Sequence, residues 1–417
     1  MYAPDTTTFS APVSKPTRIQ VVDALRGFAL LGILIAHVSV WFDGGPLPGS
    51  VYQINSQGAA NMVAQTFVGI FISGKFYTFF SFLFGLSFAL MLTRSTDSDG
   101  TFLRRFAWRL LILGAIGFLH HLHWRGDILS IYAMLGFGML LFRNVPTRWV
   151  LVAAILLVLN VPAQIRNNYN QFMAPQPTKA QNEQRQKEDE KLVEANYKVI
   201  KQGTYAEVVR VNLSEFKTKM QFQFESGRIY ITLGFFLLGL YAGRRRLFQQ
   251  LGEYRPFFRR LTKYTGLLVL GIILLFVAAI LTIGPNNQPP KVIEVIFGFL
   301  FDLGNAALTV FYISGLTLLF QQLSWQRVVS PLAAVGKMAL TNYILQSVIG
   351  TLLFYGYGLG LIGEIGTAMV LLLTIPVFLA QVLFSQFWLS RFHYGPLEWL
   401  WRSLTYLKPQ PMQARHP

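Results

Sequence analysis

The chain has 417 residues, of which 53% are hydrophobic, 15% aromatic and only 13% charged, with a mean hydropathy of +0.43. So low a charged fraction excludes a water-soluble globular domain, a disordered chain and a coiled coil. The 36 Lys and Arg against 19 Asp and Glu give a net charge of +17, and the absence of cysteine excludes disulfides, thiolate nucleophiles and Cys-ligated zinc. In so apolar a chain the basic excess marks the flanks of membrane spans rather than a nucleic-acid surface.

The first twenty residues are polar and lack an early apolar core, so they read as a tail (1–19) and not as a cleavable signal peptide. Continuous apolar runs follow. The stretch 267–284, LLVLGIILLFVAAILTIG, has no charge in 18 residues and suffices for a membrane helix. A barrel would alternate apolar and polar residues instead. The expected fold class is all-α, a polytopic membrane protein of ten spans. They run roughly over 20–42, 61–93, 103–124, 128–142, 148–165, 227–243, 264–284, 292–320, 337–355 and 366–390. Gly69 and Gly74 are break points expected in the long second span.

These spans divide into a half at 20–165 and a half at 227–390, joined by the polar segment 166–226 and followed by 391–417. Twenty-one of the 36 Lys and Arg fall on one side of this plan, the basic run 243–263 among them. The positive-inside rule makes that side, with both termini, cytoplasmic. Segment 166–226 then lies outside, either as helices packed on the outer face or as a solvated spacer.

Ionisable groups inside apolar spans are costly and each asks for a reason. The first span carries Asp23, Arg26 and His37. Asp23 and Arg26 are three apart and can pair. Arg26 and His37 are eleven apart, about 20° from one face at 100° per residue. The third span ends in GFLHHLHWRGDIL. Here His120 and Asp127 are expected to face inward, with His121 and His123 in the headgroup belt beside Trp124. An imidazole with a carboxylate behind it is the arrangement for general base work. The HHxH spacing matches no standard zinc pattern, so no metal is expected. Lys75 and Asp302 fall at mid-depth and are expected to pair, or each to face a cofactor or a water-filled cavity, which Asn305, Asn342 and Gln346 would also line. Taken singly, the amides read as ordinary interhelical hydrogen bonds.

The segments RIQVVDALRGFALLGILIAHV, KFYTFFSFLFG, GFLHHLHWRGDIL, GKMALTNYILQS and RFHYGPLEWLWRSLTY resemble the YeiB-like family of bacterial inner-membrane proteins, a family of unknown function. They spread over nearly the whole chain. The first segment also resembles transmembrane acyltransferases: Arg26 and His37 fit the Arg, ten residues, His spacing of the type 3 acyltransferases. Val22, Asp23, Arg26 and Gly27 are similar to the opening of heparan-alpha-glucosaminide N-acetyltransferase. The resemblance implies an inner-membrane protein and an acyl-CoA donor, and by analogy with the distant acetyltransferase a homodimer. It ranks His120 above His37, since the family motif contains His120 and often holds a polar non-His residue where His37 stands.

The reading is a membrane-embedded acyltransferase, taking an acyl group from a cytosolic thioester to an extracytoplasmic or lipid-borne small acceptor. His120, His37 and Asp127 are its catalytic candidates. Arg26, Asp23, Lys75, Asp302, Asn305, Asn342 and Gln346 are its donor- and substrate-binding candidates. The bilayer is the expected partner and nucleic acid is not. Two other classes fit the same charges: a transporter or flippase for a small or amphipathic metabolite, and a non-catalytic membrane scaffold or sensor.

Overall fold

The computed structural model describes residues 19–42, 47–94, 99–175, 178–284 and 289–413. All but the last residue of the expected tail 1–19 lies outside the described residues, as do 414–417. Among the described residues the chain forms eighteen α-helices and one π-helical turn, with no β structure beyond an isolated bridge between Phe392 and Gln413.

Helix α1 (Gln20–Phe42) is followed by α2 (Gly49–Ser56) and α3 (Ala59–Phe67), then by the π turn Val68–Ile72 and the apolar α4 (Phe76–Arg94). A hairpin of α5 (Asp99–His123) and α6 (Leu129–Leu140) leads to α7 (Thr147–Val158) and α8 (Val161–Phe172). The polar α9 (Lys179–Gln202), α10 (Tyr205–Ser214) and α11 (Phe216–Glu225) precede α12 (Arg228–Arg244). The rest comprises α13 (Arg255–Ile283), α14 (Lys291–Phe320), α15 (Leu323–Lys337), α16 (Ala339–Phe354), α17 (Thr367–Arg391) and α18 (Pro396–Tyr406).

Six described stretches are long and apolar enough to cross a membrane: α1, α3 with α4, α7 with α8, α13, α14 and α17. The bent pair α15–α16 makes a seventh if it counts as one span. Helices α5, α6 and α12 belong to the same bundle but fall short of that test through charge or length. Along α13, Leu267, Leu270, Leu274 and Leu281 are exposed, an apolar face suited to acyl chains and costly in water.

The second span breaks at one of the two expected glycines, and the structure departs from the expected spans at three other places, each with a local cause. The second span breaks at Ser73–Lys75, where Gly74 takes φ +84°, while Gly69 lies inside the π turn. The fifth is interrupted at Asn160, whose φ of 56° turns the chain between α7 and α8. Half of the basic run 243–263 is helical, because Pro256 in the first turn of α13 starts that helix early. Finally, the stretch before residue 338 is a helix, α15, which meets α16 at an angle of 84°.

Two glycine-lined crossings set the bundle. A Cβ on Gly27 would collide with the carbonyl of Leu332, and one on Gly336 with the carbonyl of Asp23, so α1 and α15 touch backbone to backbone. Gly85 and Gly239 do the same between α4 and α12. Small residues permit such approach, and packing then supplies the attraction that a lipid solvent does not. In consequence α12 packs on α4 and α7, knitting residues after 227 into those before 165.

Candidate functional site

The site grows from the turn between α5 and α6. Asp127 caps α6: its Oδ1 accepts from the amide of Leu129 at 3.0 Å, and its Oδ2 from the amide and hydroxyl of Ser130 at 3.0 and 2.6 Å. That cap aims the carboxylate back at α5, where Oδ1 lies 2.9 Å from Nδ1 of His120. Burial raises the Asp127 pKa. The hydrogen bond from His120 and the charge of Lys219 more than offset this and hold it well below the usual carboxylate range. An ionised carboxylate only accepts, so Nδ1 carries the proton and Nε2 of the neutral ring is the basic nitrogen. Nε2 faces the hydroxyl of Ser347 on α16 at 2.6 Å. Ser347 Oγ also has the carbonyl of Ile344 at 2.8 Å, so its single proton has two destinations. Asp127, His120 and Ser347 are all buried.

His37 enters the same cluster from α1. Its ring sits edge-on to Trp124 at 4.3 Å and to Tyr343 at 5.4 Å. Tyr343 also contacts the ring of His120 at 5.1 Å, and its hydroxyl accepts from the amide of Ile128 at 3.1 Å. The two histidines therefore share Trp124 and Tyr343, and each lies in the other's electrostatic reach. His121 and His123 depart from the expected headgroup position. His121 is fully buried with Nε2 at 2.8 Å from the carbonyl of Asn212, and His123 meets Thr351 at 3.0 Å. Trp124 is likewise buried.

Helices α10 and α11 explain that burial, since segment 166–226 folds over this end of the bundle. Asn212 donates to the carbonyl of Leu122 at 3.0 Å, and Arg125 pairs with Glu215 at 3.1 Å. Lys219 reaches Asp127 at 3.4 Å and Nδ1 of His121 at 3.3 Å. Burial lowers the ammonium's pKa although Asp127 opposes it.

The other candidates lie elsewhere. Arg26 donates to Asp23 at 2.7 Å and to Ser87 on α4 at 2.6 Å, near the opposite end of α1. Lys75 and Asp302 do not pair: Lys75 donates to the carbonyl of Gly69 at 2.9 Å, while Asp302 accepts from Asn160 at 3.1 Å and Gln164 at 3.0 Å. The bend at Gly74 and the break at Asn160 supply those nearer partners. The side chain of Asn305 lies beside Gly74, not beside the histidines. Asn342 donates to Ser385 at 2.9 Å, and Gln346 to the side-chain oxygen of Gln381 at 3.0 Å and the carbonyl of Leu30 at 3.2 Å. Both amides thus staple α16 to its neighbours. Ser347, Tyr343 and Lys219 escaped the sequence reading, because a neutral residue in an apolar span and a lysine in a polar segment stand out from neither background.

A family described as "Protein of unknown function (DUF418)" matches residues 242–408. The uncharacterized protein YxaH of Bacillus subtilis is 32% identical over 413 residues, covering 97% of this chain and 98% of that one. An uncharacterized 39.9 kDa protein of Bacillus acidopullulyticus is 29% identical over 96% of this chain and 97% of its own. The uncharacterized protein YeiB of Escherichia coli is 28% identical over 92% of this chain and 95% of its own. No solved structure matches. The molecule is thus an all-helical protein with six or seven apolar candidate membrane helices and a buried histidine cluster at one end. It belongs to the YeiB-like, DUF418 family.

Proposed function

We propose that the protein is a membrane-embedded acyltransferase that uses His120 as general base. One observation carries the reading: His120 is held between an ionised carboxylate on Nδ1 and a hydroxyl on Nε2, in a buried cluster with a second histidine. The carboxylate orients the ring and stabilises its charged form once Nε2 has taken a proton. When Ser347 turns its hydroxyl to Ile344, Nε2 is open to the hydroxyl or amine of an acceptor. The acceptor loses its proton to Nε2 as its oxygen or nitrogen bonds the thioester carbonyl carbon. The carbon–sulfur bond then breaks, and the proton returns from His120 to the leaving thiolate. Tyr343, whose hydroxyl proton is not engaged by Ile128, is a donor beside the ring for developing negative charge.

In this reading the histidine end faces outward, both termini and the basic stretch after α12 face the cytoplasm of a bacterial inner membrane, and ten helices cross. A cytosolic acyl-CoA is the donor, the acceptor is a small or lipid-borne molecule, and the working unit is a homodimer. The lysines and arginines of segment 166–226 do not oppose that orientation, since long segments weigh little in the positive-inside rule.

The test uses the protein reconstituted in lipid, with acetyl-CoA as donor and hydroxylamine as a small acceptor. The chain has no cysteine, so a thiol reagent reads released CoA without background. Thiol release that depends on hydroxylamine and is lost in His120→Ala supports the reading; equal release by the variant overturns it.

A further inference from the structure

Two arginines, one about three turns before His120 on α5 and one on α18, which packs against α5, lack acidic partners. Arg109 lies on α5 and Arg402 on α18. The guanidinium of Arg109 sits 3.7 Å from the ring centre of Trp401, whose indole donates to the carbonyl of Arg109 at 3.1 Å. Arg402 lies over Tyr394 at 5.0 Å and Tyr406 at 5.5 Å, and its Nε is buried without a hydrogen-bond partner. Among the described residues neither guanidinium forms an ion pair. Arg402 directly follows Trp401 in the chain, and the two like charges repel one another. Holding like charges together beside aromatic rings costs stability, and a fold keeps such an arrangement where an anion completes it.

The register of the helices supplies the second observation. Arg109 and His120 are eleven residues apart on α5, as Arg26 and His37 are on α1. Eleven residues leave a pair about 20° apart around the helix and about 16 Å apart along it. Helices α1 and α5 therefore repeat one design, with a guanidinium eleven residues before an imidazole. Both imidazoles meet at Trp124 and Tyr343. Arg109 faces α18 through Trp401, while Arg26 is held by Asp23 and Ser87.

We propose that Arg109 and Arg402 form a binding site for the phosphate groups of a soluble donor, whose acyl thioester hangs on an arm about 16 Å long that reaches the histidine cluster. This rests on the acyltransferase reading and deepens it. Guanidiniums bind phosphate bidentately, and the rings of Trp401 and Tyr406 hold their planes without cancelling their charge.

The experiment measures binding of inorganic pyrophosphate, CoA and phosphate-free pantetheine to the full chain in phosphatidylcholine nanodiscs. Pyrophosphate and CoA bind the wild type. Each guanidinium removed in Arg109→Gln and Arg402→Gln weakens CoA by about tenfold, while pantetheine is unaffected. The Lys variants at both positions keep the charge and lose less, which separates ligand contact from a folding defect. Equal CoA affinity in the wild type and all four variants overturns the site. So does phosphatidylglycerol that copurifies through these arginines and resists displacement by pyrophosphate, because it assigns them to a lipid headgroup. His120→Ala keeps pyrophosphate binding. Arginine-dependent CoA binding without thiol release would support the site and retire the transferase. Thiol release that needs His120 but neither arginine would overturn the site and leave the transferase standing.

Discussion

Ser347 Oγ lies 2.6 Å from Nε2 of His120, on the side of the imidazole opposite Asp127, although the two residues are 227 positions apart. The ring is therefore held at both nitrogens, by a turn next to its own helix and by a helix from the other end of the chain. The two contacts differ in consequence: Asp127 decides where the proton sits, and Ser347 decides whether the basic nitrogen is covered.

From this follows a graded series in thiol release. His120→Ala loses about a hundredfold to ten-thousandfold in rate with donor binding retained, as expected for removal of a general base. Ser347→Ala, which uncovers Nε2 but leaves Asp127 in place, stays within about tenfold of the wild type, the scale of one buried hydrogen bond. His37→Ala is milder than His120→Ala. Melting temperatures measured alongside separate these losses from unfolding. A series ordered by stability, with the rate per folded molecule unchanged, would speak for a structural cluster.

The carboxylate imposes a pH dependence of known sign. Asp127 has a folded pKa below its unfolded value of about 3.9, so its stabilising contribution is complete above that value and is lost as pH falls below it. Asp127→Asn should therefore melt below the wild type at about pH 6, and the gap should narrow as pH falls toward about 3. A gap that stays constant over that range would mean that the amide fails for reasons other than charge.

Glu398 on α18 secures the start of the helix that carries Ser347. Its Oε1 accepts from the amides of Leu340 and Thr341 at 2.6 and 3.1 Å, and its Oε2 from the Thr341 hydroxyl at 2.6 Å. Burial raises the pKa of this carboxyl. Glu398→Ala leaves two amides beside an 84° bend without their acceptor and should cost about 1–3 kcal/mol, read as a lower melting temperature. Glu398→Gln keeps the acceptor oxygens in part and should recover about half of that loss.

The orientation is open to direct labelling, because any introduced cysteine stands alone in the chain. Ala180→Cys, on the exposed face of α9, should react with an impermeant maleimide on intact spheroplasts. Glu253→Cys, in the exposed turn before α13, should react only after lysis. Reaction of both, or of the second alone, before lysis would invert the proposed topology.

The membrane class, the all-helical fold and two pairings followed from the sequence by itself. Hydropathy over a span is a property of adjacent residues, and Asp23–Arg26 and His120–Asp127 are separated by one turn of helix or one tight turn, so spacing alone brings them within reach. What lies on the far side of His120 was decided only by the tertiary structure. Ser347 meets it because α16 leaves α15 at a right-angled bend and is stapled by Asn342, Gln346 and Glu398, each to an element distant in sequence. Lys75 and Asp302, both charged and at similar depth, match one another by hydropathy. Yet a glycine bend and a left-handed asparagine gave each a nearer partner. Charge and hydropathy record the cost of burying a group. Which neighbour offsets that cost depends on how closely the helices cross, and here Gly27, Gly85, Gly239 and Gly336 set those crossings through backbone contacts that no local pattern encodes.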